Sequence, residues 1–175
     1  GIDLKYGKQQ ITGSVTSSIL QGKSILKIAN DLQHRMQDMS LASAIRTART
    51  AVTGAQNAGR LDTYRAAQDM GIKLKKQWLA TLDNRTRHAH AMLDGQTVDV
   101  DKPFKVDGYE LMYPGDSSAP GYLVYNCRCT QISEVDGEDT SSGGRRARDP
   151  ETGESVLVKD MTYAEWAEWK KEQAI

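Results

Sequence analysis

The sequence predicts an α+β fold: N-terminal helices including one long helix, then a small antiparallel sheet with a short helix, and a C-terminal helix after a flexible linker. Three observations predict it. Apolar residues recur at threes and fours up to about residue 70, period-two alternation begins at Ile72, and a Gly/Ser/Arg stretch precedes a last aromatic segment.

Ile11, Val15 and Ile19, spaced by four and stopped at Gly22, predict a short amphipathic helix over residues 11–21. Ser24 caps a second one, in which Ile25, Ile28, Ala29, Leu32 and Met36 form an apolar stripe. Residues 1–39 therefore read as a helical hairpin. From Ser40 to about Met70 there is no proline, and Leu41, Ala44, Ile45, Ala48, Val52, Leu61, Tyr64 and Ala67 keep helical spacing. This is one long helix or two abutting ones, because Gly54 and Gly59 each cost about 1 kcal/mol against Ala. The alanines on one face permit another helix to approach closely.

Gly71 suits the position just after a helix, and a strand follows with Ile72, Leu74 and, past a local irregularity, Trp78 on its apolar face. Asp83 or Asn84 starts a short helix over residues 83–93, and Asp94-Gly95 ends it in a turn. Further strands are expected near 97–100, 109–113 and 127–135, with turns at Asp107-Gly108 and Pro114-Gly115. Residues 136–152 have almost no apolar side chain and read as a flexible linker in which Arg145, Arg146 and Arg148 are solvated. Thr162 and Glu165 then form a capping box for a helix bearing Tyr163, Trp166 and Trp169, whose indoles need a surface to bury against. The expected organisation is a hairpin over 1–39, a central domain over 40–135, and linker plus helix over 136–175.

At 175 residues, 38% hydrophobic and 26% charged, the composition is that of a folded domain with a sizeable core. No apolar run approaches the roughly 18 residues of a membrane-spanning helix. Lys plus Arg equals Asp plus Glu at 23 each, which speaks against a partner recognised by bulk charge, such as naked DNA, and leaves a local basic stripe open. The chain begins at Gly1 without a charged-then-apolar leader, so the expectation is a numbering that starts inside a longer protein, with no secretory signal.

The unusual residues gather in two places, Asp83 to Gly95 and Asn126 to Cys129. Cys127 and Cys129 are the only two cysteines. On an extended segment their side chains point to opposite faces, which disfavours a disulfide and leaves free thiols or metal ligands. Three readings stand side by side. The cysteines are small buried hydrophobes, with His90 donating to a backbone carbonyl or to Asp83. Alternatively, His90, Cys127, Cys129 and Asp83 supply the N, S and O donors that zinc prefers, provided the backbone bulges to bring both sulfurs round. Or one thiol is a nucleophile with His90 as base and Asn126 orienting it. The residues assign no catalytic role, and the cofactor stays open with zinc as the ion the donors would suit. Arg85 and Arg87, with Lys73, Lys75 and Lys76, are candidate phosphate contacts. The competing use of Arg85 or Arg128 is a bidentate bridge to Asp83 or Asp94.

Gly71 and Trp78, then Asp83-x-Arg85-Thr86-Arg87-x-x-His90-x-x-Leu93-Asp94-Gly95, then Asn126-Cys127-Arg128-Cys129, resemble the phage Mu F-like head morphogenesis proteins over about residues 40–135. The tail from Asp160 to Trp166 extends the resemblance. Ala51 departs from it, because an acidic residue commonly follows the Arg49-Thr50 pair in that family. The resemblance implies that Asp83, Arg85, His90, Asp94, Gly95, Asn126, Cys127, Arg128 and Cys129 form one motif cluster, structural or metal-binding. It also implies a minor head (minor capsid) protein of a tailed phage, present in few copies and in some relatives ejected with the genome. The implied partners are the portal protein and capsid or scaffold proteins, with viral DNA as a further candidate. The implied location is the virion, inside or at the portal of the head, and the host cytoplasm during assembly. Two alternatives come from the residues: a metal- or thiol-dependent enzyme acting on nucleic acid or protein during assembly, and a DNA-binding accessory factor.

Overall fold

The computed structural model describes residues 2–36, 38–135, 143–149 and 152–173. Helix α1 (Ile2–Leu20) is longer than the segment predicted from Ile11 onward. Ser24 Oγ accepts from Lys27 N at 3.4 Å and opens α2 (Ile25–Arg35), and Ser40 Oγ accepts from Ser43 N at 3.2 Å and opens α3 (Leu41–Asp69). These caps satisfy amides that have no partner within the helix. Val15, Ile28, Ala29, Leu32, Ala44 and Ala48 form the core of this helical layer. The small Ala44 and Ala48 are what let α2 lie close on α3. Despite its glycines, α3 is a single helix. Gly71, at φ 89°, ends it in a Schellman motif, with Ile72 N donating to Ala67 O at 3.0 Å and Gly71 N to Gln68 O at 2.8 Å.

The chain then runs β1 (Leu74–Leu79), α4 (His88–Leu93), β2 (Thr97–Asp99), β3 (Phe104–Val106), β4 (Tyr109–Leu111), α5 (Gly121–Val124), β5 (Thr130–Val135), β6 (Arg145–Arg148), β7 (Ser155–Val158) and α6 (Tyr163–Gln173). The predicted α+β order holds. Strands β2, β1 and β5 form an antiparallel sheet in that spatial order, with Lys76 opposite Val98 and Ser133. Strand β4 does not join this sheet but pairs with β3, which the sequence did not signal because three residues are too few to establish a period.

Alternation along β1 is regular, and the expected irregularity is absent. Leu74, Lys76 and Trp78 all point inward, while Ile72, expected in the apolar face, is 44% exposed. Lys76 is fully buried, with Nζ donating to Met112 O at 2.7 Å and lying 5.1 Å from the Phe104 ring centre. Its aliphatic stem packs like an apolar residue while its head finds a carbonyl.

The C-terminal part departs most from expectation. Arg145–Arg148, expected within a flexible linker, is strand β6, paired with β7 and joined to the end of the central sheet by Arg148 N donating to Leu82 O at 2.8 Å. Residues 136–142 and 150–151 of the expected linker lie outside the described residues. The hairpin supplies the surface that the tryptophans require: Leu82, Ala147, Val158 and Trp166 form one buried cluster, with Trp169 packed beside it. The capping box forms, with Thr162 N donating to Glu165 Oε2 at 2.6 Å and Glu165 N to Thr162 Oγ1 at 3.3 Å. No described helix is long and apolar enough to cross a membrane.

Candidate His-Cys-Cys site in an arginine-lined cleft

Helix α4 presents His90 to the core, where its ring meets Trp78 edge-on at 5.9 Å between centroids. The helix starts at His88, later than predicted, and residues 83–87 form a turn closed by Thr86 N donating to Asp83 O at 3.3 Å. His90 Nε2 donates to Leu123 O at 2.9 Å, so in the neutral ring Nδ1 is the nitrogen that carries the lone pair. That nitrogen faces both sulfurs, Cys129 Sγ at 3.3 Å and Cys127 Sγ at 3.8 Å.

Both cysteines therefore point to the same side, against the expectation of opposite faces. The reason is local: β5 begins only at Thr130, and Asn126 sits in the left-handed region at φ 59°, so residues 127–129 do not follow strand alternation. Helix α3 holds this segment by its backbone. Thr50 Oγ1 accepts from Asn126 N at 3.0 Å, Thr53 Oγ1 donates to Cys127 O at 2.9 Å, and Asn57 Nδ2 donates to Cys129 O at 3.2 Å. Arg49 donates to Asn126 Oδ1 at 2.9 Å. Asn126 thus serves Arg49 rather than orienting His90, and Arg49 has a partner here although Ala51 is not acidic. None of these α3 residues was singled out as part of the site, because nothing local links them to a segment more than seventy positions on.

Asp83 does not join the gathered ligand atoms, which among the described residues are those of His90, Cys127 and Cys129. Its carboxylate is gripped by both terminal guanidinium nitrogens of Arg128, the second at 2.9 Å. Burial pushes the Asp83 carboxyl up, and the Arg128 hydrogen bonds and charge outweigh it, so the group ends below the usual range. This is the bidentate bridge the sequence offered as the alternative to phosphate binding. Asp94 is bridged too, but by Arg145, whose two nitrogens meet its two oxygens at 2.9 Å each. Gly95 follows at φ 78°, as the turn requires. Arg85 is exposed, with its Nε 3.9 Å from Asp83.

The basic stripe suggested for phosphate does not form as one surface. Lys76 is buried, and Lys75 shares a face with Asp99 and Glu134, its cross-strand partners. Lys73 is exposed just ahead of β1, at the end of the strand away from Thr81. Arg85 and Arg87 lie elsewhere, on the rim of a cleft of about 220 Å³ that Arg49 and Arg128 also line and whose lining includes His90, Cys127 and Cys129. Arg87 donates to Tyr125 O. His88 is exposed and outside the cluster.

The two thiols shift one another in opposite directions. A hydrogen bond from Cys129 draws the Cys127 thiol down against the cost of burial, with His90 helping, and the same bond together with burial pushes Cys129 up. Trp78 Nε1 is buried without a conventional hydrogen-bond partner and favours the anionic form of Cys129.

Comparison with known proteins places these elements in a family. A family model described as Phage Mu protein F like protein matches residues 9–132, which include α3, α4 and both motifs. The chain is 36% identical over 166 residues to Minor head protein GP7 of Bacillus phage SPP1, covering 92% of this chain and 51% of that protein. It is 37% identical over 129 residues to NAD(+)--arginine ADP-ribosyltransferase EFV of Enterococcus faecalis, covering 74% of this chain and 26% of that protein. An uncharacterized protein of Haemophilus influenzae is 27% identical over 136 residues, 78% of this chain and 28% of its own length. The chain thus spans about half or less of each of these relatives. No solved structure matches it significantly. With the family model covering most of the chain and both motifs, this chain belongs to the Phage Mu F-like protein family.

Proposed function

We propose that this chain is the structural and interaction module of a minor head protein, acting in head morphogenesis of a tailed phage and retained in the virion. The observation that carries this reading is the 36% identity to a minor head protein over 92% of the chain. That match is too long to be confined to the central motifs, so it takes in much of the helical layer or the C-terminal hairpin as well. The polar motif residues support it too: Asp83, Arg128, Asp94 and Asn126 are engaged in bonds that tie separate elements together.

In this reading the portal protein is the docking partner, with capsid or scaffold proteins beside it, and assembly takes place in the host cytoplasm. The N-terminal layer is the suggested contact, since Leu20, Leu26 and Leu41 are 83%, 61% and 45% exposed there.

The test is co-expression with the portal, capsid and scaffold proteins of its phage, followed by sedimentation of the assembled heads. The chain is expected to travel with heads that contain portal and to be lost when portal is omitted. Sedimentation as free protein in both cases would remove the reading.

A further inference from the structure

We propose that His90 Nδ1, Cys127 Sγ and Cys129 Sγ bind one zinc ion, and that the fourth coordination position opens into the arginine-lined cleft, where an oxyanion can reach the metal. This goes beyond the head-assembly reading and does not depend on it.

Geometry makes the first part of the case. With Zn–S of about 2.3 Å and Zn–N of about 2.05 Å, a tetrahedral site has N···S edges of about 3.6 Å. The two N···S separations here are 3.3 and 3.8 Å, on either side of that value. All three donor atoms lie within 4.8 Å of one another. They converge although a Cys-x-Cys strand would have sent the sulfurs apart, and the convergence is produced by Asn126 and the α3 contacts to the backbone of Cys127 and Cys129.

The surroundings make the second part. A histidine that ligates through Nδ1 needs its Nε2 proton held by an acceptor, and Leu123 O holds it at 2.9 Å. Metal-bound thiolates take nearby N–H donors, and the buried indole N–H of Trp78 lacks a conventional partner. Metal binding requires both sulfurs as thiolates, so their protons go to solvent, and two thiolates balance the dication.

The cleft makes the third. The protein supplies three ligands, and the cleft they line also carries Arg49, Arg85, Arg87 and Arg128. Arg128 is paired with Asp83, while Arg49 and Arg87 hydrogen-bond to uncharged oxygens of Asn126 and Tyr125. A neutral metal–thiolate centre beneath unneutralised guanidinium groups attracts a phosphate or carboxylate group rather than a cation.

The test uses the full chain. Elemental analysis of protein purified without chelator is expected to give about one zinc per chain, falling in His90→Ala and Cys127→Ser. Because those variants can lose the fold, cobalt titration of the metal-stripped wild type, with circular dichroism as the fold control, provides the second readout. Thiolate-to-cobalt charge transfer with tetrahedral visible bands is expected, and inorganic phosphate should shift the visible bands, less so in Arg87→Ala. Folded wild-type protein that takes up neither zinc nor cobalt would overturn the site. Visible bands unmoved by phosphate would overturn the open fourth position. Co-sedimentation with heads can hold while either fails, so the two readings are separable.

Discussion

Arg145 meets Asp94 with two nitrogens on two oxygens, and the pair is almost closed to solvent, the side chains 10% and 1% exposed. The same carboxylate accepts from Ala80 N and Tyr163 N, each at 2.6 Å. One side chain thereby joins the end of β1, the turn after α4, strand β6 and the start of α6. Removing one partner of such a pair leaves a buried charge uncompensated, which costs about 3–5 kcal/mol. Arg145→Ala should lose that much stability in urea unfolding, and the Asp94→Ala/Arg145→Ala double variant should lose less than the sum of the singles. Additive losses would show the pair to be independent groups. Ending the chain at residue 135 should be at least as damaging as Arg145→Ala, since it also uncovers Leu82.

Asn57 is a second hub, 1% exposed on α3. Its amide donates to Pro114 O at 3.1 Å and Cys129 O at 3.2 Å, and its oxygen accepts from Gln131 N at 3.2 Å. Each buried group left unpaired costs about 1–3 kcal/mol. Asn57→Ala should therefore destabilise by about 3 kcal/mol or more, measured by chemical denaturation. A loss below about 1 kcal/mol would mean that water replaces the amide fully.

The two glycines of α3 should respond in opposite directions. A Cβ on Gly54 would stand 3.0 Å from Gly115 O, and one on Gly59 would meet nothing within 4 Å. Gly59→Ala should stabilise by about 0.5–1 kcal/mol, the helix propensity difference. Gly54→Ala should destabilise, because the turn at Pro114-Gly115 must move away from α3. Equal melting-temperature shifts in both variants would contradict this packing.

Lys76 predicts a pH dependence. Burial, followed by the Arg65 charge, lowers its pKa from 10.5 to about 8, with Asp101 and Asp116 opposing. Below about pH 8 both folded and unfolded chains are protonated and the full cost of the buried charge is present. Between about 8 and 10.5 the unfolded chain binds more protons, so stability contributed by this group rises with pH. Relative to wild type, Lys76→Met should look most favourable near neutrality and lose ground across that window. A stability difference that stays flat with pH would show that Lys76 does not titrate there.

What was legible in the sequence is what local backbone chemistry writes. Ser24 as a cap, Gly71 as the end of α3, and the Thr162/Glu165 box each depend on residues within one helical turn. Lys76 was misread because a lysine in the alternating register of β1 looks like a break, when its head has a carbonyl to meet. The opposite-face rule failed for Cys127 and Cys129 because it was applied to a segment where the strand had not yet begun. Bonds such as Arg145 to Asp94 and Arg49 to Asn126 join positions 51 and 77 apart, and no spacing within a single sequence encodes such pairs. Strand β6 was missed for a related reason: Arg145-Arg146-Ala147-Arg148 has only one apolar residue, and its stability comes from Leu82, Val158 and Asp94 elsewhere in the chain.

Membership of the phage head is measured by quantitative peptide mass spectrometry on purified virions, with the major capsid protein as internal standard. Peptides from residues 9–132 are expected in the purified heads at a few copies per particle. Their absence from purified heads, with the protein abundant in the lysate that produced them, would contradict it.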